Sequence, residues 1–131
     1  MGLVETAYSQ DVDGLIGLAK AYFDAAYMMD AEKFAAIFDP SASVTRRDDN
    51  GDVVVTPIAT WLEIVRGMPS PHDAGSMRDD EILSVVITRE LAMLKLRLRI
   101  PPREVTDLLS CLYLNGRWQI VQKVFAAEMR S

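Results

Sequence analysis

The stretch TDLLSCLYLNGRWQIVQKVF, residues 106–125, decides how the rest of the chain is read. Asn115-Gly116 is the dipeptide that most favours a two-residue hairpin turn, because both positions tolerate positive φ. The flanking runs, Glu104 to Leu114 and Arg117 to Ala127, are rich in branched and aromatic residues and contain no Pro, as paired strands require. Pairing Leu114 with Arg117 sets Thr106 opposite Phe125, Leu108 opposite Lys123 and Ser110 opposite Val121 on one face. The other face takes Asp107 with Val124, Leu109 with Gln122, Cys111 with Ile120 and Tyr113 with Trp118. Both faces are largely apolar, so both are expected to be covered, one by helices and one by a partner sheet or another chain.

Immediately upstream, LAMLKLRLRI (residues 91–100) alternates Ala92, Leu94, Leu96, Leu98 and Ile100 with Met93, Lys95, Arg97 and Arg99. Period two marks a strand with one wet face. Ile82 to Thr88 reads as the strand before it, so four consecutive strands form an antiparallel meander. The N-terminal half has the other period. Leu15, Ile16, Ala19, Tyr22, Phe23 and Ala26 make one stripe on a helix from Asp11 to Tyr27, capped by Ser9 or Asp11. Asp30 caps a shorter helix, Ala31 to Phe38, ended by Asp39-Pro40. Ser43 to Arg47 and Asp52 to Thr56 form a small ribbon turned at Asn50-Gly51. Thr56 is then expected to cap a third helix, with Pro57 in its first position and Gly67 closing it. Helices followed by a long antiparallel sheet is the α+β pattern, with the helices on one sheet face.

Composition narrows the function. The chain has 131 residues, 50% of them hydrophobic, which is expected to make one domain spanning residues 1–131. Its formal net charge of -5 argues against nucleic-acid binding, which needs clustered Lys and Arg. No run approaches the roughly 20 apolar residues of a membrane span, and the first residues lack a basic leader. A single cysteine, Cys111, allows no internal disulfide, so the expected location is cytoplasmic. Phosphate-binding, dinucleotide-binding, zinc-protease and serine-hydrolase motifs are all missing. No cofactor and no metal are expected. The lone His72 lies in a Pro/Ser/Gly loop and reads as solvated, and Asp48, Asp49 and Asp52 read as a turn rather than a calcium loop.

The informative residues are polar ones in apolar settings. Lys123 and Asp107 interrupt apolar strands, and a buried charge must be paired or change its protonation. They read either as ligand-orienting or acid-base groups in a cavity, or as edge charges or a structural ion pair. Tyr22 reads as a core tyrosine or as a hydrogen-bond donor to a ligand. Phe23, Phe34, Phe38, Trp61, Met28 and Met29 fill a core or line an apolar cavity.

AYFDAAYMMDAEKFAAIFDPSASV (residues 21–44) and TDLLSCLYLNGRWQIVQKVF are similar to the opening helices and closing hairpin of the nuclear-transport-factor-2-like superfamily, and within it to the lumazine-binding-like family. The resemblance covers nearly the whole chain. It implies a cone, in which a strongly curved antiparallel sheet wraps the first helix and leaves an apolar cavity. Steroid isomerase of this superfamily has its oxyanion-donating Tyr at Tyr22, its general base near Thr45 or Arg46 and a protonated Asp near Ser110. Both carboxylate positions lack an acid here, which disfavours isomerase chemistry. The family often has a His where Asp39 stands, so no His-dependent role is expected. The same comparison sets Val121, Lys123 and Phe125 on the cavity face, with Ser110 and Leu108 beside them.

The reading is therefore of an α+β cone that binds an apolar or aromatic small molecule and dimerises through its sheet. Tyr22, Ser110, Lys123 and Asp107 are the polar anchors, with Phe125 and Val121 as wall. The alternatives are a cyclase-like or dehydratase-like lyase or isomerase that uses Tyr22 with Lys123 or Asp107, and a protein-interaction module.

Overall fold

The computed structural model describes residues 2–130, with side chains from residue 12 onward. Helix α1 spans Gly2–Met28, α2 Ala31–Ala35 and α3 Ile58–Arg66; the strands are β1 Phe38–Arg47, β2 Val53–Pro57, β3 Asp80–Thr88, β4 Leu91–Ile100, β5 Arg103–Leu114 and β6 Arg117–Met129. The six strands form one curved, unclosed sheet in the order β2-β1-β6-β5-β4-β3. This is the expected α+β class, with β3 to β6 as the antiparallel meander. The ribbon is not a separate unit. β1 runs parallel to β6 and joins the meander through it. No described helix is long and apolar enough to cross a membrane.

The hairpin at the centre forms for the expected reason. Asn115 (φ 53) and Gly116 (φ 82) both adopt positive φ, as the primed turn between β5 and β6 demands. Three local expectations are corrected. Helix α1 runs through Ser9 and Asp11 rather than starting at them, since no Pro precedes Asp11 to stop it. Helix α2 ends at Ala35, not Phe38, because the amide of Ile120 donates to the Ile37 carbonyl at 2.9 Å and Phe38 pairs with Ile120. Thr56 does not cap α3. It stays in β2 opposite Val44, and Pro57 occupies the cap position with no side-chain bond.

The register departs from the expected one at a single point, and the departure decides the site. Pairing follows the turn from Leu114 and Arg117 to Cys111 and Ile120, then shifts so that Ser110 meets Gln122 and Leu109 meets Lys123. Val121 is the extra residue, left without a partner in a β-bulge. Beyond the bulge every β6 side chain changes face relative to β5. Asp107 meets Phe125 rather than Val124, and Lys123 meets Leu109 rather than Leu108. Rows of paired residues now cross the concave face. One is Val85, Leu94, Leu109, Lys123, Val44 and Thr56; the next is Ile82, Leu96, Asp107 and Phe125. Against these rows pack Leu15, Leu18, Ala19, Tyr22, Phe23 and Ala26 of α1, all buried. Leu96 is fully buried among them, so it belongs to the core and not to an outer interface. The bulges at Val121 and between Ile82 and Ser84 bend their strands and add twist.

Two glycines test this backbone. Gly116→Ala places a Cβ at positive φ and is expected to lower stability by about 1–2 kcal/mol. Gly17→Ala, on α1 where a Cβ meets nothing within 4 Å, is expected to raise it by about 1 kcal/mol. Urea unfolding of the two variants reads both signs.

Candidate functional site

The concave face is not filled at its wide end. A cavity of about 370 Å³ opens there, between β1, the far ends of β4 to β6, α1 and α3. Its wall is apolar: Met29, Phe34, Val44, Trp61, Ile64, Val65, Leu98, Ile100, Val105 and Phe125. Among the described residues, four charged side chains line it, Arg46, Arg103, Asp107 and Lys123. Arg46 and Arg103 are exposed at the rim, whereas Asp107 is 1% and Lys123 6% exposed.

The two buried charges sit in adjacent rows on neighbouring strands, a diagonal spacing that long side chains bridge. Lys123 Nζ lies 3.9 Å from Asp107 Oδ1, an ion pair without a hydrogen bond. The Tyr22 hydroxyl, carried in from α1, donates to Asp107 Oδ2 at 2.7 Å. Asp107 Oδ1 is buried with no hydrogen-bond partner among the described residues. Around the ammonium stand three aromatic rings, with centroids 4.4 Å (Trp61), 5.0 Å (Phe125) and 5.4 Å (Tyr22) from Nζ. Such rings attract a cation through their negative faces. Trp61 is itself held edge-on by Phe34, with centroids 4.9 Å apart.

Burial drives both members of the pair toward neutrality. It raises the Asp107 carboxyl above its ordinary value, opposed by Lys123 and the Tyr22 hydrogen bond. It lowers the Lys123 ammonium, opposed by Asp107. Tyr22 is raised well above its ordinary value, first by burial and then by the Asp107 charge, so its hydroxyl stays a donor. A proton moving from Lys123 to Asp107 leaves the pair's net charge unchanged.

Of the residues picked from sequence, the structure brings Tyr22, Asp107, Lys123 and Phe125 together on the cavity. Ser110 and Val121 are not among its lining residues. Ser110 pairs with Gln122 and Met93 on the convex face, and Val121 is the bulge residue. The same half-turn of β6 carries Lys123 inward alongside Asp107, where the regular register would have set them on opposite faces. A carboxylate does meet Tyr22, supplied by Asp107 rather than from the Ser110 position. Arg46 and Arg103 were not singled out, although Arg46 lies two residues beyond inward Val44 and shares its face by strand alternation. The other candidates lie apart. His72 is exposed and contacts Asp73 and the Tyr27 ring; the Asp48 side chain accepts from the Asn50 and Asp52 amides as a turn. Burial pushes the Cys111 thiol up to about 12, which leaves it unreactive. No group of three or more metal-ligating side chains is present among the described residues.

Comparison with known proteins identifies the family and the fold. The family described as "Putative lumazine-binding" matches residues 10–126, and the chain belongs to that family, within the nuclear-transport-factor-2-like superfamily. An aldolase, FrzH, from Cladobotryum sp is 22% identical over 122 residues, covering 93% of this chain and 95% of its own. Two crystal structures share the fold. A nuclear-transport-factor-2-like protein of unknown function from Silicibacter pomeroyi superposes with a TM-score of 0.81 at 23% identity, over 92% of this chain and 98% of its own. Another, from Shewanella baltica, gives 0.83 at 18% identity, over 92% and 96%.

The pair makes a stability prediction with a definite pH dependence. Lys123→Met leaves Asp107 buried without its cation and is expected to cost about 3–5 kcal/mol near neutral pH. Because the Asp107 pKa in the fold lies above its ordinary 3.8, the native state holds this proton more tightly than the unfolded chain does. That contribution is complete below the ordinary value and is lost as pH rises through the folded one. Lys123→Met removes the charge that opposes this rise, so the carboxyl is held higher still, and the Tm deficit of the variant widens as pH rises from below the ordinary carboxylate value toward neutral. Replacing all three polar groups (Lys123→Met, Asp107→Leu, Tyr22→Phe) is expected to restore stability to within about 1 kcal/mol of the parent or above it. Calorimetry of both variants across that range checks the two statements.

Proposed function

We propose that this chain, acting as one domain, binds an aromatic or alicyclic small molecule in the concave cavity. Its polar end meets Lys123 and Asp107, and its rings lie against Trp61 and Phe125. The observation that carries this reading is the buried pair itself. Two charges desolvated beside an open cavity, with one carboxylate oxygen accepting no hydrogen bond among the described residues, are costly for stability and useful for recognition. The cavity volume suits a ligand of two or three fused rings. The rim favours an acidic substituent, since Arg46 and Arg103 are its charged side chains among the described residues. Tyr22 is a positioning residue. Its hydroxyl is committed to Asp107 and fixes that carboxyl toward Lys123.

A second reading is supported by the similarity to an aldolase: the bound molecule carries a carbonyl, and the cavity promotes carbon–carbon bond chemistry beside it. Lys123 or Asp107 then supplies the acid-base function, within the lyase alternative expected from sequence. A second copy of the chain is proposed to cover the convex face. There Leu108, Val124 and Val55 are exposed and adjacent through Thr45, a contiguous apolar stretch of the kind that marks interfaces.

A thermal-shift panel of lumazines, flavins, steroids, aromatic polyketides and fatty acids, each with and without a carboxylate, tests the cavity. A ligand at a hundredfold excess over its dissociation constant stabilises the native state by about 2.7 kcal/mol. The shift is expected to favour the acidic member of each pair and to vanish in Trp61→Ala. Uniform absence of a shift, or shifts indifferent to Trp61→Ala, contradicts the reading.

A further inference from the structure

We propose that the Lys123 amine condenses with the carbonyl carbon of an aldehyde or ketone held in the cavity, forming an imine; this rests on the cavity reading above. The chain has four lysines, and Lys20, Lys33 and Lys95 are exposed, leaving Lys123 as the one that lines the cavity. Its Nζ lies against three ring faces and a carboxylate. Those neighbours suit the product as well as the free amine. A protonated imine carries the same single positive charge as an ammonium, in a planar group that can lie on the Trp61 ring 4.4 Å away. Asp107 at 3.9 Å remains its counter-ion.

The proton inventory closes with groups already present. The pair exists as ammonium and carboxylate or, after one proton transfer, as neutral amine and carboxylic acid. In the second form the nitrogen lone pair attacks the carbonyl carbon, and one amine proton moves to the oxygen to give a carbinolamine. Asp107 then gives its proton to the hydroxyl, the C–O bond breaks, and water leaves toward the open rim. Nitrogen and carbon are left as a protonated imine facing the Asp107 carboxylate. No oxidant, reductant or metal is needed. Burial of the amine favours the uncharged, nucleophilic form. The groups around Nζ are Asp107 from β5, the Tyr22 ring from α1, Trp61 from α3 and Phe125 from β6, with Arg46 of β1 and Arg103 of β5 as the rim cations. The only acid among them is Asp107, which makes it the proton donor for loss of water.

The test uses naphthaldehyde as probe, with naphthylmethanol as a control of similar size that lacks a carbonyl. The full chain is incubated with naphthaldehyde and cyanoborohydride near neutral pH, and the adduct is located by peptide mass spectrometry. A single naphthylmethyl group on Lys123 is expected, formed faster than on Lys20, Lys33 or Lys95, slowed in Asp107→Asn and absent in Lys123→Met. Because the wild-type chain alone reports the site of attachment, a poorly folding variant does not spoil the outcome. Naphthylmethanol raising the Tm while naphthaldehyde labels only the surface lysines would overturn the imine and leave the cavity reading standing. No Tm response to either compound, with only surface labelling, would overturn both.

Discussion

The architecture turns on one residue that pairs with nothing. Val121 interrupts the β5–β6 ladder, and because side chains alternate along a strand, one extra residue sends the remainder of β6 to the opposite face. Without it, Lys123 and Asp107 would look in opposite directions, one toward α1 and the other toward solvent or a second sheet. With it, both charges enter the concave side, where Tyr22 from α1 meets one of them. The same bulge bends the sheet, and the bend leaves the wide end unfilled. Pocket and polar cluster thus share one cause.

Burying this cluster works against stability. Desolvation of two charges is recovered only in part by an ion pair at 3.9 Å, whose carboxylate oxygen accepts no hydrogen bond among the described residues. The remaining stabilisation comes from the rows of Leu94, Leu96, Leu109, Cys111 and Ile120 packed on α1, all essentially inaccessible to solvent. Three aromatic rings soften the cost of the ammonium. A fold that held these groups only for strength would do better with Leu and Met in their place, and this is why a binding role is the better account of them.

Much of this was legible in the sequence, for identifiable reasons. Asn115-Gly116 fixed the central turn, since few dipeptides accept two positive φ angles. Strict alternation in residues 91–100 identified β4 and its buried face. Tyr22, Lys123 and Asp107 stood out because polar groups in apolar runs need partners. The bulge was not legible: Gln119 to Gln122 reads equally well with or without a skipped residue, and only the packing of β6 between β5 and β1 selects the skip. At the regular register Ser110 and Val121 share a face with Lys123 and Asp107 takes the other; the skip leaves Ser110 and Val121 outside the cavity and makes Lys123 and Asp107 neighbours. The longer α1, the shorter α2 and the uncapped start of α3 are likewise cases where tertiary pairing overrode local signals.

The central claim is that Asp107 and Lys123 share one desolvated site beneath Tyr22, and carboxyl-carbon NMR of Asp107 tests it most directly. The account predicts an Asp107 titration midpoint above its ordinary 3.8 that moves higher still in Lys123→Met. A midpoint at the ordinary value, indifferent to that substitution, would mean that the carboxyl is solvated and unpaired, and would contradict the account.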